Sequence, residues 1–145
     1  MTDKHLSELT FAELQLLPSV MQGVVDAGFE RCTPIQAQTL PLALQGRDVA
    51  GQAQTGTGKT AAFLITALSH ILRNPLEGAR KPGAPRVLIL APTRELAEQI
   101  HVAIGEMGQK TPLKSCTVYG GVNINRVLAM HAGLATPLRA LLRTA

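Results

Sequence analysis

A glycine-rich segment between a short apolar run and an apolar-faced helix limits most strongly what this 145-residue chain can fold into. The segment is Ala53-Gln-Thr-Gly-Thr-Gly-Lys-Thr60, and the preceding Asp48-Val-Ala-Gly51 predicts a short buried strand. A helix is predicted from about Lys59 to Leu72, because apolar residues recur there at helical spacing: Ala61, Leu64, Ile65, Leu68, Ile71 and Leu72. Strand, tight turn and helix in this order are typical of a βαβ unit.

Two more strands and a helix extend the pattern. Arg86 to Ala91 predicts a fully buried parallel strand, and Leu113 to Tyr119 predicts another that ends at Gly120-Gly121. Between them a helix starts at Thr93 and carries one apolar face, formed by Leu96, Ile100, Ile104 and Met107. This alternation implies an α/β fold with a parallel sheet, in which ligands bind beyond the carboxyl ends of the strands. Residues 73–86 contain three prolines and two glycines and predict an exposed loop.

The first 45 residues predict short helices, each marked by a local start signal. Thr10-Phe-Ala-Glu13 fits a capping box, in which the two end side chains bond to each other's backbone amides. Pro18 suits the first turn of a helix that stops at Gly28 and has one apolar stripe: Val20, Met21, Val24 and Val25. Thr33-Pro-Ile-Gln36 repeats the capping box, and Pro41 should bend or end the helix that follows.

The segment 53–60 matches the phosphate-loop pattern, with Ala53 in place of the usual first glycine. Gly56 and Gly58 permit backbone angles that turn successive N–H groups inward, and the following helix N-terminus adds partial positive charge. Lys59 can reach the β and γ phosphates, and the Thr60 hydroxyl can ligate Mg²⁺. The alternative interpretation is a glycine-rich turn with an ordinary surface lysine. The pattern indicates a nucleotide without specifying a reaction.

Composition restricts the class of protein. With 46% apolar and 17% charged residues, the chain has the size and content of one domain with a core, which argues against disorder. The longest uncharged apolar stretch, residues 60–72, is shorter than the about 20 residues of a spanning helix, so no membrane partner is expected.

The N-terminus lacks a secretory signal, and the distant cysteines Cys32 and Cys116 predict reduced thiols and a cytoplasmic location. Scattered histidines give a structural metal site little support.

Charge is distributed unevenly along the chain. Residues 1–106 contain 9 basic and 10 acidic residues, whereas residues 107–145 contain 5 basic residues and no acidic one. A basic end of this kind is compatible with nucleic-acid contact. Its composition is also compatible with a divergent tail.

Four segments in order resemble the DEAD-box ATP-dependent RNA helicases, and most of all bacterial members that work with RNA-degradation assemblies. The segments are Gly28-Phe-Glu-Arg-Cys-Thr-Pro-Ile-Gln36, residues 53–60, Pro92-Thr-Arg-Glu-Leu-Ala97 and Gly120-Gly121. Ala53 is the residue that this family carries in its phosphate loop. The resemblance covers about residues 8–128. It implies a P-loop RecA-like parallel sheet flanked by helices, ATP and Mg²⁺ as cofactors, RNA as the substrate, and protein partners in RNA degradation or ribosome assembly.

The resemblance also implies an adenine site in the first segment. Gln36 would bond the adenine edge with its amide, and Phe29 would supply an aromatic face that Phe11 steadies. The rest of the ATP site would be the loop itself: Ala53, Gln54, Thr55, Gly56, Thr57, Gly58, Lys59 and Thr60. The local alternative for Gln36 is a capping role with Thr33, and both roles are compatible. Cys32 stands where the family usually has proline, which should loosen the turn without removing a contact.

The last two segments would hold RNA by the same resemblance. Free amides and the Thr93 hydroxyl at a helix start can bind an RNA phosphate, and Arg94 adds a cation. Gly120-Gly121 would let the protein backbone approach another phosphate closely, because glycine has no side chain. The implied RNA residues are Pro92, Thr93, Arg94, Gly120 and Gly121. Each has a plain alternative, namely a helix cap, a solvated charge or a tight turn.

Parts of the helicase machinery are not found in the sequence. Hydrolysis also needs an Asp/Glu pair on a later strand and arginines from a second domain, yet no carboxylate follows Glu106. Leu134-Ala-Thr-Pro-Leu-Arg139 matches the family's Ala-Thr-Pro-Gly-Arg only in part. We therefore expect a sheet that is incomplete at the C-terminal end, through a fragment, deletion or frameshift, with an exposed edge at Val49.

The interpretation divides the chain into helices for adenine recognition (the Q motif) at 1–45, a partial RecA-like domain at 46–128 and a divergent basic tail at 129–145. The leading function is the ATP-binding N-terminal portion of an RNA helicase. One alternative is a catalytically inactive module that binds nucleotide or RNA, and an ATPase assay with and without RNA separates the two. A small P-loop kinase is a further alternative, but no arginine-rich lid is visible.

Overall fold

The structure is a computed structural model of the chain, and it describes residues 6–75, 85–120 and 140–144. The chain forms two compact units. The first comprises residues 1–74 and 106–110, and the second comprises residues 75–105 and 111–145. The predicted adenine helices and the phosphate loop lie in the same unit. The division into domains at 1–45, 46–128 and 129–145 stays a prediction.

Helices build the first unit, and most begin where the sequence has a start signal. A short 3₁₀ helix spans Phe11–Leu14, followed by α1 (Pro18–Asp26), α2 (Pro34–Ala43) and α3 (Lys59–Arg73). The Glu13 carboxylate accepts from the Thr10 amide at 2.8 Å, as the first capping box predicts, and it also accepts from the Thr10 hydroxyl at 2.7 Å. These bonds, the backbone one first, hold the pKa of Glu13 below its ordinary value. Within the described ranges, no helix has both the length and the apolar content needed to cross a bilayer.

Helix α3 organises the core of the first unit by packing against α1 and α2. The predicted apolar residues of α3 are buried apart from Leu72, which is half-buried, and Ala62 and Ser69 are buried in addition. The larger buried side chains are at most 2% exposed: Leu64, Ile65, Leu68 and Ile71. The other helical segments of the unit also bury apolar side chains: Phe11, Val20, Val24 and Leu40. Burial of each such side chain contributes about 1.5–3 kcal/mol, which offsets the modest intrinsic stability of helices this short.

Two details of the helix predictions need correction. The apolar stripe of α1 buries Val20 and Val24 but leaves Val25 51% exposed, because Val25 lies one step around the helix from Val24. Pro41 does not end α2, which continues to Ala43. A proline costs a helix the bond to the carbonyl four residues earlier, here that of Ala37, and α2 ends two residues after Pro41.

The buried strand predicted for residues 48–51 is not present. The segment forms neither helix nor strand, residues 48–52 are exposed, and the Val49 side chain is 40% exposed. Among the described residues no strand pairs with it. A strand requires a partner to take up its amides and carbonyls, so an apolar run alone does not create one. Val49 is thus exposed, but not at the edge of a sheet as expected, because its segment is not a strand.

The second unit contains a three-stranded parallel sheet. Its strands are β1 (Val87–Ala91), β2 (Cys116–Val118) and β3 (Ala140–Thr144), in the spatial order β1-β3-β2. Register pairs Leu90 with Arg143 and Val118 with the same Arg143, so the carboxyl ends of the three strands lie at one edge. Helix α4 (Arg94–Met107) connects β1 towards β2 and buries Ala97, Ile100 and Ile104. A parallel α/β arrangement was predicted, and these elements have it.

Three strand predictions differ from the structure. β1 was expected to be fully buried, yet Leu88 is 54% and Leu90 66% exposed, so only one face of the strand is covered. β2 is three residues long, shorter than the predicted Leu113 to Tyr119. The predicted tail at 129–145 contains β3, the central strand of the sheet. The loop predicted at 73–86 falls mainly outside the described residues.

The α1 backbone lies very close to another backbone segment of the first unit at Gly23. A Cβ atom at this position would stand 1.9 Å from the backbone oxygen of Met107, which ends α4. Gly105, also helical, has no neighbouring atom within 4 Å of its Cβ position. Gly23 can therefore approach Met107, which belongs to the same unit, only because residue 23 has no side chain.

We expect Gly23→Ala to lower the free energy of unfolding by about 1–3 kcal/mol, since a backbone oxygen must move to admit the methyl group. Gly105→Ala is the matched control, and it should raise the same free energy by about 0.5–1 kcal/mol through helix propensity. Urea denaturation of both variants measures the two values. Equal effects of the same sign would contradict the close approach at Gly23.

Candidate functional site

The glycine loop of the first unit has the conformation that the sequence predicts. Gly56 has a φ of 79° and Gly58 a φ of 85°, both in the left-handed region. Gly58 is also the N-cap of α3, so the loop leads directly into the amides of the first helical turn. The predicted cradle residues 53–60 are thus contiguous around a helix N-terminus, with Lys59 and Thr60 in that turn.

The capping box of α2 holds this loop in place. Thr33 donates its hydroxyl to the Thr57 carbonyl at 2.8 Å, and Gln36 donates Nε2 to the Gly58 carbonyl at 3.0 Å. The Gln36 Oε1 accepts from the Thr33 amide at 2.9 Å, which closes the predicted box. Two consecutive loop carbonyls are therefore bound by two side chains three residues apart.

This arrangement sets the direction of the loop amides. The carbonyl and the N–H of a planar trans peptide point in opposite directions. Because the carbonyls of Thr57 and Gly58 point towards the capping box, the N–H groups of Gly58 and Lys59 point away from it. The capping box thereby turns two amides to the side on which an anion would bind.

Gly58 is required for a second reason besides its backbone angle. A Cβ atom there would lie 2.3 Å from Nε2 and 3.0 Å from Cδ of Gln36. Gln36 is fully buried, so its amide has little room to retreat. The contact that orients the loop is therefore possible only with glycine at position 58.

The Lys59 ammonium is folded back onto the loop. Its Nζ donates to the carbonyls of Ala53 and Gln54, and the Thr57 hydroxyl donates to the same Gln54 carbonyl at 2.7 Å. Two N–H donors of the Lys59 ammonium, which could otherwise bind phosphate oxygens, are therefore bound to backbone carbonyls. Thr60 lies half-buried in the first turn of α3, one residue further along.

A short antiparallel pairing supports the segment that leads into the capping box. Ser7 donates its amide to the Cys32 carbonyl at 2.8 Å, and Phe11 donates to the Glu30 carbonyl at 3.2 Å. The Phe11 ring is buried against that of Phe29, with 6.0 Å between centroids and 46° between planes. Phe11 thus steadies Phe29 as predicted, and Phe29 remains half-buried.

Cys32 makes a contact that proline cannot make. Its amide donates to the Leu9 carbonyl at 2.9 Å, which fastens the turn that the sequence was expected to loosen. Its side chain is fully buried, and burial first, with the nearby Glu13 charge second, raises the pKa of the thiol to about 11. The thiol is therefore protonated at neutral pH and contributes as an apolar group.

The second unit places the other predicted site residues at the carboxyl edge of its sheet. Thr93 caps α4, since its hydroxyl accepts from the Leu96 amide at 3.2 Å, so the plain cap alternative for Thr93 is realised. The Arg94 guanidinium lies over the Tyr119 ring, 5.6 Å from its centroid. Pro92 and Gly120 are exposed beside them, and Gly121 lies outside the described residues. No group of three or more His, Cys, Asp or Glu in the described part of the chain is placed to hold a metal ion.

The amino-acid sequence is similar to those of known proteins. The family model described as "DEAD/DEAH box helicase" matches residues 33–142, about three-quarters of the chain. The chain belongs to the DEAD/DEAH box helicase family. Membership implies a RecA-like α/β fold, of which the described parallel strands and helices form part.

Curated relatives carry the name "ATP-dependent RNA helicase RhlB". The protein from Xanthomonas campestris pv. campestris (strain B100) is 55% identical over 126 residues, which are 87% of this chain and 22% of the relative. Those from Vibrio atlanticus (strain LGP32) and Yersinia pestis (strain Pestoides F) are 48% and 50% identical, covering 88% of this chain and 29% and 30% of the relatives. The chain thus spans less than a third of the length of these helicases.

Two residues of this DEAD/DEAH box chain have roles that the sequence motifs did not predict. Thr33 was expected only to cap α2, yet its hydroxyl also binds the phosphate loop. Tyr119 was assigned only to a strand, yet it lies against Arg94. The capping box preceding the loop, and the aromatic residue preceding Gly120-Gly121, were the available signals.

We expect Gln36→Leu to lower the free energy of unfolding by about 1–3 kcal/mol, because a similar volume remains while the Thr33 amide and Gly58 carbonyl lose a partner. Gln38→Leu on the same helix changes an exposed side chain and should stay within about 0.5 kcal/mol of the parent. Chemical denaturation measures both. If Gln36→Leu lowers the free energy of unfolding no more than Gln38→Leu does, the hydrogen bond from Gln36 to the loop contributes nothing to stability.

Proposed function

We propose that this chain binds ATP with Mg²⁺ at residues 53–60 and contacts single-stranded RNA through residues 92–94 and Gly120-Gly121, as the nucleotide-binding part of an ATP-dependent RNA helicase. One observation carries the proposal above all. The Thr33–Gln36 box binds the carbonyls of Thr57 and Gly58 and so points the following amides towards one side of the loop. Membership of the DEAD/DEAH box family supports ATP as the ligand of those amides.

Triphosphate binding exchanges one set of oxygens for another at Lys59. In the structure the ammonium donates to the Ala53 and Gln54 carbonyls. The β and γ phosphate oxygens carry full charge, so a charge-assisted bond to them is stronger than one to a neutral carbonyl. Release of Lys59 from the loop then opens the cradle and supplies a mobile cation at the same time.

Mg²⁺ fits the first turn of α3. Mg²⁺ prefers oxygen ligands and usually keeps several bound waters. One hydroxyl from the protein and two oxygens from the phosphates therefore suffice to complete its coordination. Thr60 provides the hydroxyl next to Lys59. The ion, when bound, neutralises charge that develops on the phosphates.

Adenine recognition is assigned to Gln36 and Phe29. The Gln36 amide uses one acceptor site for the Thr33 amide and one donor for Gly58, which leaves one of each for a base edge. The side chain is fully buried, so a neighbouring group must move before adenine can reach it.

RNA contact is assigned to the carboxyl edge of the second unit. Arg94 is exposed there, and the amides of Thr93 and its neighbours lie at the start of α4. These groups recognise a sugar–phosphate path and read no base, so binding should tolerate many sequences. The relatives named as RNA helicases support RNA as the ligand. Partners in RNA degradation or ribosome assembly stay a prediction.

A binding role without turnover is the second candidate for the 145-residue polypeptide. Residues 107–145 contain no Asp or Glu, whereas phosphoryl transfer in P-loop enzymes uses an acidic residue to hold Mg²⁺ and another group to orient the attacking water. We infer that this polypeptide alone binds nucleotide without rapid hydrolysis.

Lys59→Ala should abolish ATP binding in calorimetry, because the mobile cation of the cradle is lost. Lys110→Ala removes an exposed lysine elsewhere in the first unit and should leave ATP affinity unchanged. Thermal melts of both variants confirm that each is folded. Unaltered ATP affinity in folded Lys59→Ala would refute the phosphate-loop assignment.

Gln36→Ala should weaken ATP more than GTP, because only adenine presents the edge that this amide matches. The ratio of the two affinities is the measurement, so any general destabilisation by the variant affects both nucleotides alike. Gln38→Ala is the control and should keep the parent ratio. Equal weakening of ATP and GTP would leave Gln36 with its loop-holding role alone.

A further inference from the structure

Helix α4 and the strand segment around β2 are joined by three pairs of polar side chains, which we call the polar ladder. The Ser115 hydroxyl lies 3.0 Å from His101 Nδ1, and the Thr117 hydroxyl lies 3.4 Å from Glu98 Oε1. The third pair is the Arg94 guanidinium over the Tyr119 ring, at 5.6 Å.

The ladder follows from the periods of a helix and a strand. On α4 its members stand at positions i, i+4 and i+7, which share one helix face. Along the strand segment they stand at alternate positions, which share one sheet face. The order is reversed between the two elements, with 94 opposite 119 and 101 opposite 115. These three contacts therefore fix the position of α4 along the strand segment.

One end of the ladder lies at the edge assigned to RNA. Arg94 is the first residue of α4 and follows Thr93, while Tyr119 follows β2 and precedes Gly120. The ladder thus brings the segment 92–94 next to Gly120, although 25 positions separate residues 94 and 119 in the sequence. The pairs at Glu98 and His101 hold the helix so that this end stays in register.

We propose that Tyr119 is the positioning residue for Arg94 in phosphate recognition, an inference that rests on the proposed RNA function. An exposed arginine samples many rotamers, and binding must restrict them. A ring beneath the guanidinium restricts them before RNA arrives, and it leaves the N–H donors at the edge of the planar group free to reach phosphate oxygens. Tyr119 itself forms no bond to RNA in this arrangement.

The experiment measures affinity of the full chain for a short fluorescent oligouridine by anisotropy, as a function of salt. Tyr119→Leu should weaken binding about 2- to 5-fold, the range expected for an exposed cation–π contact, while the slope against salt stays unchanged because Arg94 still reaches its phosphate. Tyr119→Phe keeps the ring and should bind like the parent. Arg94→Ala should weaken binding and reduce the slope by about 0.7.

The double variant Arg94→Ala/Tyr119→Leu distinguishes positioning from direct contact. If Tyr119 acts only through Arg94, the double variant binds as Arg94→Ala does. Arg47→Ala, which removes an exposed arginine of the first unit, controls for general loss of positive charge and should keep the parent slope. Thermal melts verify that every variant is folded.

Several results would overturn the inference. Parent-like binding by Tyr119→Leu, with Arg94→Ala weakened, would remove the positioning role and leave the RNA assignment intact. Additive losses in the double variant would show that Tyr119 contacts RNA itself. A parent chain that does not bind oligouridine would refute the RNA function, and the positioning role with it.

Discussion

The bonds from the Thr33–Gln36 capping box to the carbonyls of Thr57 and Gly58 fix the geometry of the candidate nucleotide site. They join a helix start to a loop more than twenty residues further along the chain. A glycine-rich loop by itself samples many conformations, since each glycine loses more backbone freedom on folding than other residues do. Two side-chain donors from a preformed helix cap restrict this freedom and turn the loop amides in one direction. The same Gln36 thus completes a local motif and organises the loop that would bind phosphate.

The support behind the capping box comes from the chain before it. The backbone pairing of residues 7–11 with residues 30–32, and the packing of Phe11 on Phe29, hold the approach to Thr33. Cys32 takes part through its amide, which a proline at this position would lack. The proposed nucleotide site of this DEAD/DEAH box chain therefore depends on a structured N-terminal segment as well as on the phosphate loop.

The second unit uses a different physical device for its candidate site. The carboxyl ends of its three strands lie at one edge of the sheet. The polar ladder positions the start of α4 at that edge, because its contacts recur at helical spacing on α4 and at alternate residues along the strand segment. Each contact is weak alone, because hydrogen bonds exchange with water and an exposed cation–π pair contributes about 0.5–1 kcal/mol. Together they specify register, and register decides which side chains meet near Gly120.

Local signals in the sequence determined the helix starts, the two capping boxes, the left-handed glycines of the loop and the buried face of α3, because each depends on residues within one or two turns. Strands were predicted less well, since a strand exists only where a partner takes up its hydrogen bonds: Val49 found none, and residues 140–144 were paired on both sides although they were assigned to a tail. Similarly, Gln36 and Gly58 meet, as do Arg94 and Tyr119, only after the chain has folded. The sequence by itself therefore determined the local elements and indicated candidate site residues, and the tertiary structure decided which residues face each other, because contacts between distant segments depend on packing and not on local propensity.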